Sequence, residues 1–188
     1  GDAPTNFNFV SGDYDRKTGL KGDGSTKYLD SNRNNNDDPQ DDCHVSSYRI
    51  RSSGGNQALV AARVGGNVIG SRFLWIDGPA PAFTCNPNAD VHDNAGSDLL
   101  NVPTFQGVSR ASSTSTNGRV NGQSYSFTRT SGSPVSNNLR VFCSANDATP
   151  ELFSNARMSF YSIGEALDLA ALDTRVSNLI TAIGAAIP

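Results

Sequence analysis

Apolar side chains along this chain recur mostly at every second position, in short stretches set apart by clusters of glycine, asparagine, serine and proline. A period of two is the signature of a β-strand, whose successive side chains leave opposite faces. Residues 45–51, 57–64, 67–77, 104–110, 119–130, 139–145 and 156–161 read as strands on this basis. Residues 18–30 read as a hairpin, with Leu20, Tyr28 and Leu29 around the turn signal Gly22, Asp23, Gly24. Gly65 and Gly66 mark a further turn. Within 67–77, Phe73 and Trp75 share one face while Leu74 and Ile76 share the other. Apolar residues on both faces mark a central strand covered on both sides, or the edge of the core beside a ligand groove. Leu139, Val141 and Cys143 share a face, as do Met158 and Phe160. Residues 31–42 have no apolar side chain to bury and contain Pro39, so they read as a loop. Residues 78–101 read as a long irregular connection. Short strands with no helical crossover between them predict an all-β fold, a two-layer antiparallel sandwich.

The end of the chain has a different period. Ser162, Ile163, Gly164 and Glu165 match the capping box that opens a helix. After it Leu169, Leu172, Val176, Leu179, Ile183 and Ala186 recur at spacings of 3, 4, 3, 4 and 3, a short heptad seam. The chain therefore divides into a sandwich, 1–161, and an amphipathic helix, 162–188. A helix this short is marginal in water without a partner surface. It packs either on its own sandwich, a use that Ile180 and Ile187 favour by widening the stripe, or on a neighbouring subunit. In the second case Leu169, Leu172, Val176, Leu179 and Ile183 form an oligomer interface, with a trimer the natural expectation.

Composition narrows the function. At 188 residues the length suits one domain, and 15 basic against 18 acidic side chains leave a net charge of −3. That excludes a polycationic nucleic-acid binder, which needs a basic stripe to displace counterions. No apolar run reaches the roughly 18 residues of a membrane span. The first residues have neither a basic nor an apolar leader segment, so no signal peptide is expected. The three cysteines, Cys43, Cys85 and Cys143, are odd in number and widely spaced. They allow at most one disulfide, and reduced thiols are the expected state.

No catalytic group emerges. Glycan hydrolysis uses two carboxylates across the scissile bond, but the only glutamates, Glu151 and Glu165, are far apart, and Asp90 and Asp93 sit in the irregular connection. His44 and His92 are the only histidines, and there is no Gly-x-Ser-x-Gly elbow. Cys43 and His44 are strand neighbours and point apart, so a packed cysteine beside an exposed histidine is expected. The loop offers Asp37, Asp38, Asp41 and Asp42, beside Asp30 and Asn34 to Asn36, as hard oxygen ligands of the kind calcium takes in sets of six to eight. The same residues also cap their own turns in an ordinary solvated loop. For a sugar, whose apolar face stacks on an aromatic ring, the candidate platforms are Trp75, Tyr48 and Tyr125, with Tyr161 a further one. Trp75 in its apolar run serves equally as a core residue.

Four segments carry a resemblance: 19–29 (GLKGDGSTKYL), 120–122 (VNG), 139–142 (LRVF) and 160–167 (FYSIGEAL). Together they resemble the concanavalin A-like, laminin-G-type jelly roll. More narrowly, 13–42 and 152–188 resemble the carboxy-terminal domain of structural proteins from tailed phages and prophages, marine and cyanobacterial ones among them. The likeness spans the chain, is specific at both ends and is loose from about 55 to 115. It implies a jelly-roll β-sandwich in a virion, assembled in the host cytoplasm. It also implies a non-enzymatic role on the particle exterior, in tail, fibre or capsid decoration, with other virion proteins as partners. The alternative it implies is a lectin-like domain for a host-surface glycan, with calcium at the rim.

Overall fold

Alternating side chains fill the space between two seven-stranded antiparallel sheets, and a small two-stranded hairpin stands beside them. The computed structural model describes residues 3–64, 67–77, 82–97, 101–146 and 149–187. In chain order the strands are β1 (Thr5–Phe7), β2 (Tyr14–Asp15), β3 (Gly19–Lys21), β4 (Tyr28–Asn34), β5 (Cys43–Arg51), β6 (Gln57–Val64), β7 (Asn67–Asp77) and β8 (Ala82–Pro87). They continue with β9 (Asp93–Ser97), β10 (Thr104–Arg110), β11 (Ser115–Val120), β12 (Gln123–Thr128), β13 (Asn138–Val141), β14 (Ser144–Asn146), β15 (Thr149–Glu151) and β16 (Arg157–Gly164). One helix, α1 (Leu169–Ala186), closes the chain; no described helix is long and apolar enough to cross a membrane. The front sheet runs β1-β4-β13-β6-β7-β8-β9, and the back sheet β12-β11-β10-β5-β16-β3-β2.

The core takes Val45 and Val108 from the back sheet and Leu59, Val60, Leu74, Ile76, Phe83, Leu139 and Val141 from the front. Strict alternation would send Leu59 or Val60 outward. The register of β6 on β7 shifts between Ala58 and Val60, so both face the core while Ala58 and Ala61 face out. The expected opposition of Phe73 and Trp75 to Leu74 and Ile76 is what the structure shows, on a strand flanked by β6 and β8. Leu139, Val141 and Cys143 share the core as expected. All three cysteines are free and buried, and burial pushes each thiol up, that of Cys143 to about 12.

Several expectations are corrected. Residues 18–30 are not a hairpin, because β3 joins the back sheet and β4 the front. The loop between them is held open by Asp23, whose Oδ1 accepts from the amides of Ser25, Thr26 and Lys27, and a Cβ on Gly22 would stand 2.0 Å from the Ser154 carbonyl oxygen. Residues 31–42 are not a solvated loop: β4 extends to Asn34, and Asn35 and Asp38 are buried. The connection 78–101 contains β8 and β9, with Phe83 and Cys85 in the core. Residues 119–130 are two strands joined at Asn121 and Gly122, both at positive φ (49° and 74°), a pair suited to a tight hairpin turn. Met158 and Phe160 do not share a face, since a register shift at Ser159 turns Met158 into the core and Phe160 outward. The turn at Gly65 and Gly66 lies outside the described residues.

The helix starts later than the capping box indicated. Ser162 belongs to β16, and its hydroxyl lies 2.8 Å from Nε2 of His44. The N-cap is Asp168, which accepts from the amides of Ala170 (2.8 Å) and Ala171 (3.1 Å). His44 is not exposed either. It is buried under the β16–α1 connection, its Nδ1–H donating to the Glu165 carbonyl while Nε2 accepts from Ser162. The helix lies across β10 and β11 on the outer face of the back sheet. There Leu169, Leu172, Val176 and Ile180 pack on Tyr48, Phe105 and Phe160, and Arg119 Nε meets Asp173 Oδ2 at 2.7 Å.

At one end of the sandwich the interior is polar. Asp38, with a side chain 1% exposed, bridges Arg33 and the fully buried Arg72. Asn35 Nδ2 donates to Asn88 Oδ1 and to the Gly70 carbonyl, each at 2.9 Å. Burial alone would raise the Asp38 carboxyl, but the hydrogen bonds of Arg33 and Arg72 outweigh it and hold the group below the usual range. Burial pushes His44 down, with the Arg72 charge adding to it and the Glu165 carbonyl and Asp38 opposing.

Two predictions follow from this packing. For His44 and Asp38 alike the unfolded chain takes up a proton more readily than the folded one, so stability is present above the unfolded values and lost on acidification. Urea midpoints should fall in one stage below about pH 6.5 and in another below about pH 4, and His44→Gln should remove the first stage alone. At Gly107 an added Cβ would lie 2.9 Å from Ser46 Cβ and 3.0 Å from Leu169 Cδ2. Gly107→Val should lift α1 off the sheet, read as faster proteolytic cutting between residues 165 and 168 with the sandwich intact.

Candidate functional site

The outer face of the front sheet carries two aromatic rings. Phe73 and Trp75, two positions apart on β7, stack with centroids 4.2 Å apart and planes at 17°. Ala58 and Ala61 of β6 lie beside them, small enough to let the rings sit flat. The chain from β14 to Leu152 folds back over this patch; Leu152 packs on it and its carbonyl accepts from the Ala58 amide at 2.9 Å. The backbone bends sharply there, with Leu152 at φ 51°.

Where this cover ends, a recess of about 220 Å³ remains, lined by Asn56, Gln57, Arg63, Trp75, Ile76, Glu151 and Leu152. Arg63, next to β6's outer end, places its guanidinium 5.1 Å from the Trp75 ring centroid and donates through Nη2 to Glu151 Oε1 at 2.8 Å. Gln57 is a brace: its Oε1 accepts from Ser52 Oγ, Ser154 Oγ and the Asn155 amide, tying two loops together below the recess. Two shielded donors on the lining, Trp75 Nε1 and Arg63 Nε, have no hydrogen-bond partner among the described residues. Such groups are costly to bury unmatched, and here they stand beside one ring, one cation and one carboxylate. That set offers an apolar face for sugar C–H groups, donors for ring or hydroxyl oxygens, and a carboxylate for hydroxyl protons.

The aromatic candidates read from the sequence are not gathered. Trp75 is in the recess. Tyr48 lies under α1, half-buried and packed in the cluster of Phe105, Leu169 and Val176. Tyr125 sits on the edge strand β12, stacked on Phe127 and packed against the core, beside a separate recess that Asn117 and Asp168 also line. Tyr161 faces the core from β16.

The acidic residues do not converge either. Asp38 is taken by two arginines, Asp37 Oδ2 accepts from the Asn34 amide at 2.8 Å, and Asp42 Oδ1 accepts from the Ala166 amide at 2.6 Å. Asp41 is half-buried. Among the described residues no three Asp, Glu, His or Cys side chains come together as a metal site. Three of the four loop carboxylates, Asp37, Asp38 and Asp42, are thus engaged as ion-pair partners and caps, while Asp41 Oδ1 is shielded without a hydrogen-bond partner among the described residues. Asp90 is exposed while Asp93 is buried on Arg129, so that pair faces no common site.

Arg63 and Glu151 were not singled out by sequence. They lie 88 positions apart, and only the fold-back of the β14–β15 segment joins them. The interface residues divide: Leu169, Leu172 and Val176 pack on the sandwich, whereas Leu179 is 52% exposed and Ile183 half-buried.

No family model and no curated protein matches the sequence. Solved structures do share its fold. The tailspike protein 2 enzymatically active domain of bacteriophage CBA120 is 14% identical with a TM-score of 0.56, over 94% of this chain and 29% of that one. The CBM40 of Ruminococcus gnavus IT-sialidase, solved with α2,3-sialyllactose, is 14% identical with a TM-score of 0.53, over 72% of this chain and 83% of that one. The SAP-like pentraxin of Limulus polyphemus is 10% identical with a TM-score of 0.51, over 71% and 69%. This chain thus spans less than a third of the tailspike chain it matches. At these identities the likeness is one of architecture: the chain is a jelly-roll, lectin-like β-sandwich.

Proposed function

We propose that the chain is a non-enzymatic attachment module on the exterior of a phage particle, and that the recess at Trp75 takes one residue of a surface glycan. The observation that carries this reading is the Trp75–Arg63–Glu151 constellation, an aromatic ring flanked by a paired cation and anion in a small open recess. The ion pair holds both polar groups in place before a ligand arrives, which lowers the ordering cost of binding. Glycoside hydrolysis would need a second carboxylate about 5–10 Å away, and among the described residues Glu151 is the only carboxylate on this lining. The sandwich likeness to a phage tailspike domain and to a carbohydrate-binding module supports the same reading.

The helix supports self-association as the module's second contact. Its first half is held by the sandwich, but from Val176 to Ile187 it carries no charged side chain, and Leu179 stands exposed. Packing between copies through Leu179 and Ile183, as in a trimer, would cover that stripe.

Purified protein should bind a subset of glycans on an array and adsorb to host cells. Trp75→Ala and Glu151→Ala should each weaken the glycan signal about tenfold or more while leaving the fold intact. A blank array together with absent cell adsorption removes the glycan reading. Separately, Leu179→Asp with Ile183→Asp should lower the mass measured by light scattering to that of one chain at an unchanged melting temperature; an unaltered mass returns the helix to a purely intramolecular role.

A further inference from the structure

Charge at the Trp75 recess is balanced within the recess itself. Among its described lining residues only Arg63 and Glu151 are ionisable, and they are already paired, Arg63 Nη2 donating to Glu151 Oε1 at 2.8 Å. The two side chains are only 14% and 31% exposed, so solvent and salt screen this pair less than they would one on an open surface. The guanidinium is held from a second side by the Trp75 ring, 5.1 Å away. No further cation comes with the neighbouring sequence: the charged residue after Ile76 is Asp77, and the one before Glu151 is Asp147.

This arrangement treats neutral and acidic ligands differently. A ligand carboxylate that reaches Arg63 arrives beside Glu151, which is bonded to the same guanidinium. What it gains from the cation it loses to the anion, and it gives up its own hydration without full replacement. A hydroxyl group meets no such opposition. It can donate to the carboxylate of Glu151, whose Oε2 has no hydrogen bond to a described residue, and its oxygen can accept from the guanidinium. The C–H face of a pyranose ring is uncharged and suits the indole whether or not the sugar carries an acid, so discrimination falls to the ion pair.

Taking the recess as a glycan site, on which this step rests, we propose that it selects an uncharged sugar residue and turns away acidic sugars. Glu151 is the residue that sets the preference. It occupies the place on Arg63 that the carboxylate of a uronic or sialic acid would need, and so builds the repulsive element of specificity into the protein. Removing its charge while keeping its shape frees Arg63 for an anionic ligand.

Trp75 is the only tryptophan of the chain, so its fluorescence and its indole N–H signal report on the recess directly. The test titrates the full chain with matched methyl glycosides of glucose, galactose and mannose, each set against its hexuronate, which differs only in a carboxylate for the hydroxymethyl group. At least one neutral hexoside should shift both Trp75 signals, and its hexuronate should bind at least about tenfold more weakly. Glu151→Gln keeps an oxygen for Arg63 and should narrow that gap by about tenfold or more, chiefly by tightening the hexuronate, at an unchanged melting temperature. A hexuronate that binds the wild-type chain as well as its neutral partner, or better, overturns the selectivity and leaves the glycan reading standing. An unchanged gap in folded Glu151→Gln overturns the role of Glu151. Silence of Trp75 towards every neutral and acidic glycoside removes the glycan reading and the selectivity with it. The wild-type ratio needs no variant and decides the direction of the preference by itself.

Discussion

Phe73 and Trp75 place two stacked rings on the outer face of β7 while Leu74 and Ile76 hold its inner face in the core. A strand apolar on both faces cannot leave either one to water, because each large side chain withdrawn from solvent contributes about 1.5–3 kcal/mol. The chain meets this constraint in two ways. The shift in β6 turns Ala58 and Ala61 outward as a flat seat, and the segment after β14 folds back to lay Leu152 over the rings. Glu151 arrives with that fold-back and Arg63 comes from β6, so the recess is a by-product of covering the aromatic pair. Support and site share the same residues.

The opposite economy governs the polar end. Arg72, Arg110 and Asp38 are buried where an apolar core would be expected, and each is held by specific partners: Asp38 by Arg33 and Arg72, Arg110 by the carbonyls of Pro87, Ser112 and Arg129. A buried ion pair adds little net stability over a well-packed apolar substitute, but losing one partner costs about 3–5 kcal/mol. What such pairs fix is position. Arg110 gathers three loops at one end of the sandwich, and Asp38 pins residues 33–38 to β7, so this short-stranded fold keeps its loops in register without long hydrophobic runs.

The architecture was legible because period-two patterning survives in a single sequence: the sharing of Leu139, Val141 and Cys143, and the opposed faces of Phe73 and Leu74, follow from geometry alone. What was lost came from interactions between distant residues. The bulges at Leu59 and Ser159 reverse the face assignment downstream, and nothing local marks them. Residues 22–27 carry a turn signal, yet three amides on Asp23 make the loop span two sheets instead of closing a hairpin. Asn35 and Asp38 look solvated by residue type and are buried because Asn88 and Arg72 meet them from far along the chain. Of the site, Trp75 was visible as an aromatic candidate; Arg63 and Glu151 were not, since their pairing exists only once β15 has folded back.

The helix and the Trp75 recess occupy outer faces of different sheets, with the whole thickness of the sandwich between them. Copies gathered by their helices around a common axis would therefore turn every recess away from that axis and toward whatever lies outside. Weak individual sites arranged this way hold by multivalency: once one has engaged, the others act at high effective concentration, and avidity can exceed single-site affinity by about 10²–10⁴. On the proposed reading, a shallow recess would then be sufficient for firm yet reversible adhesion.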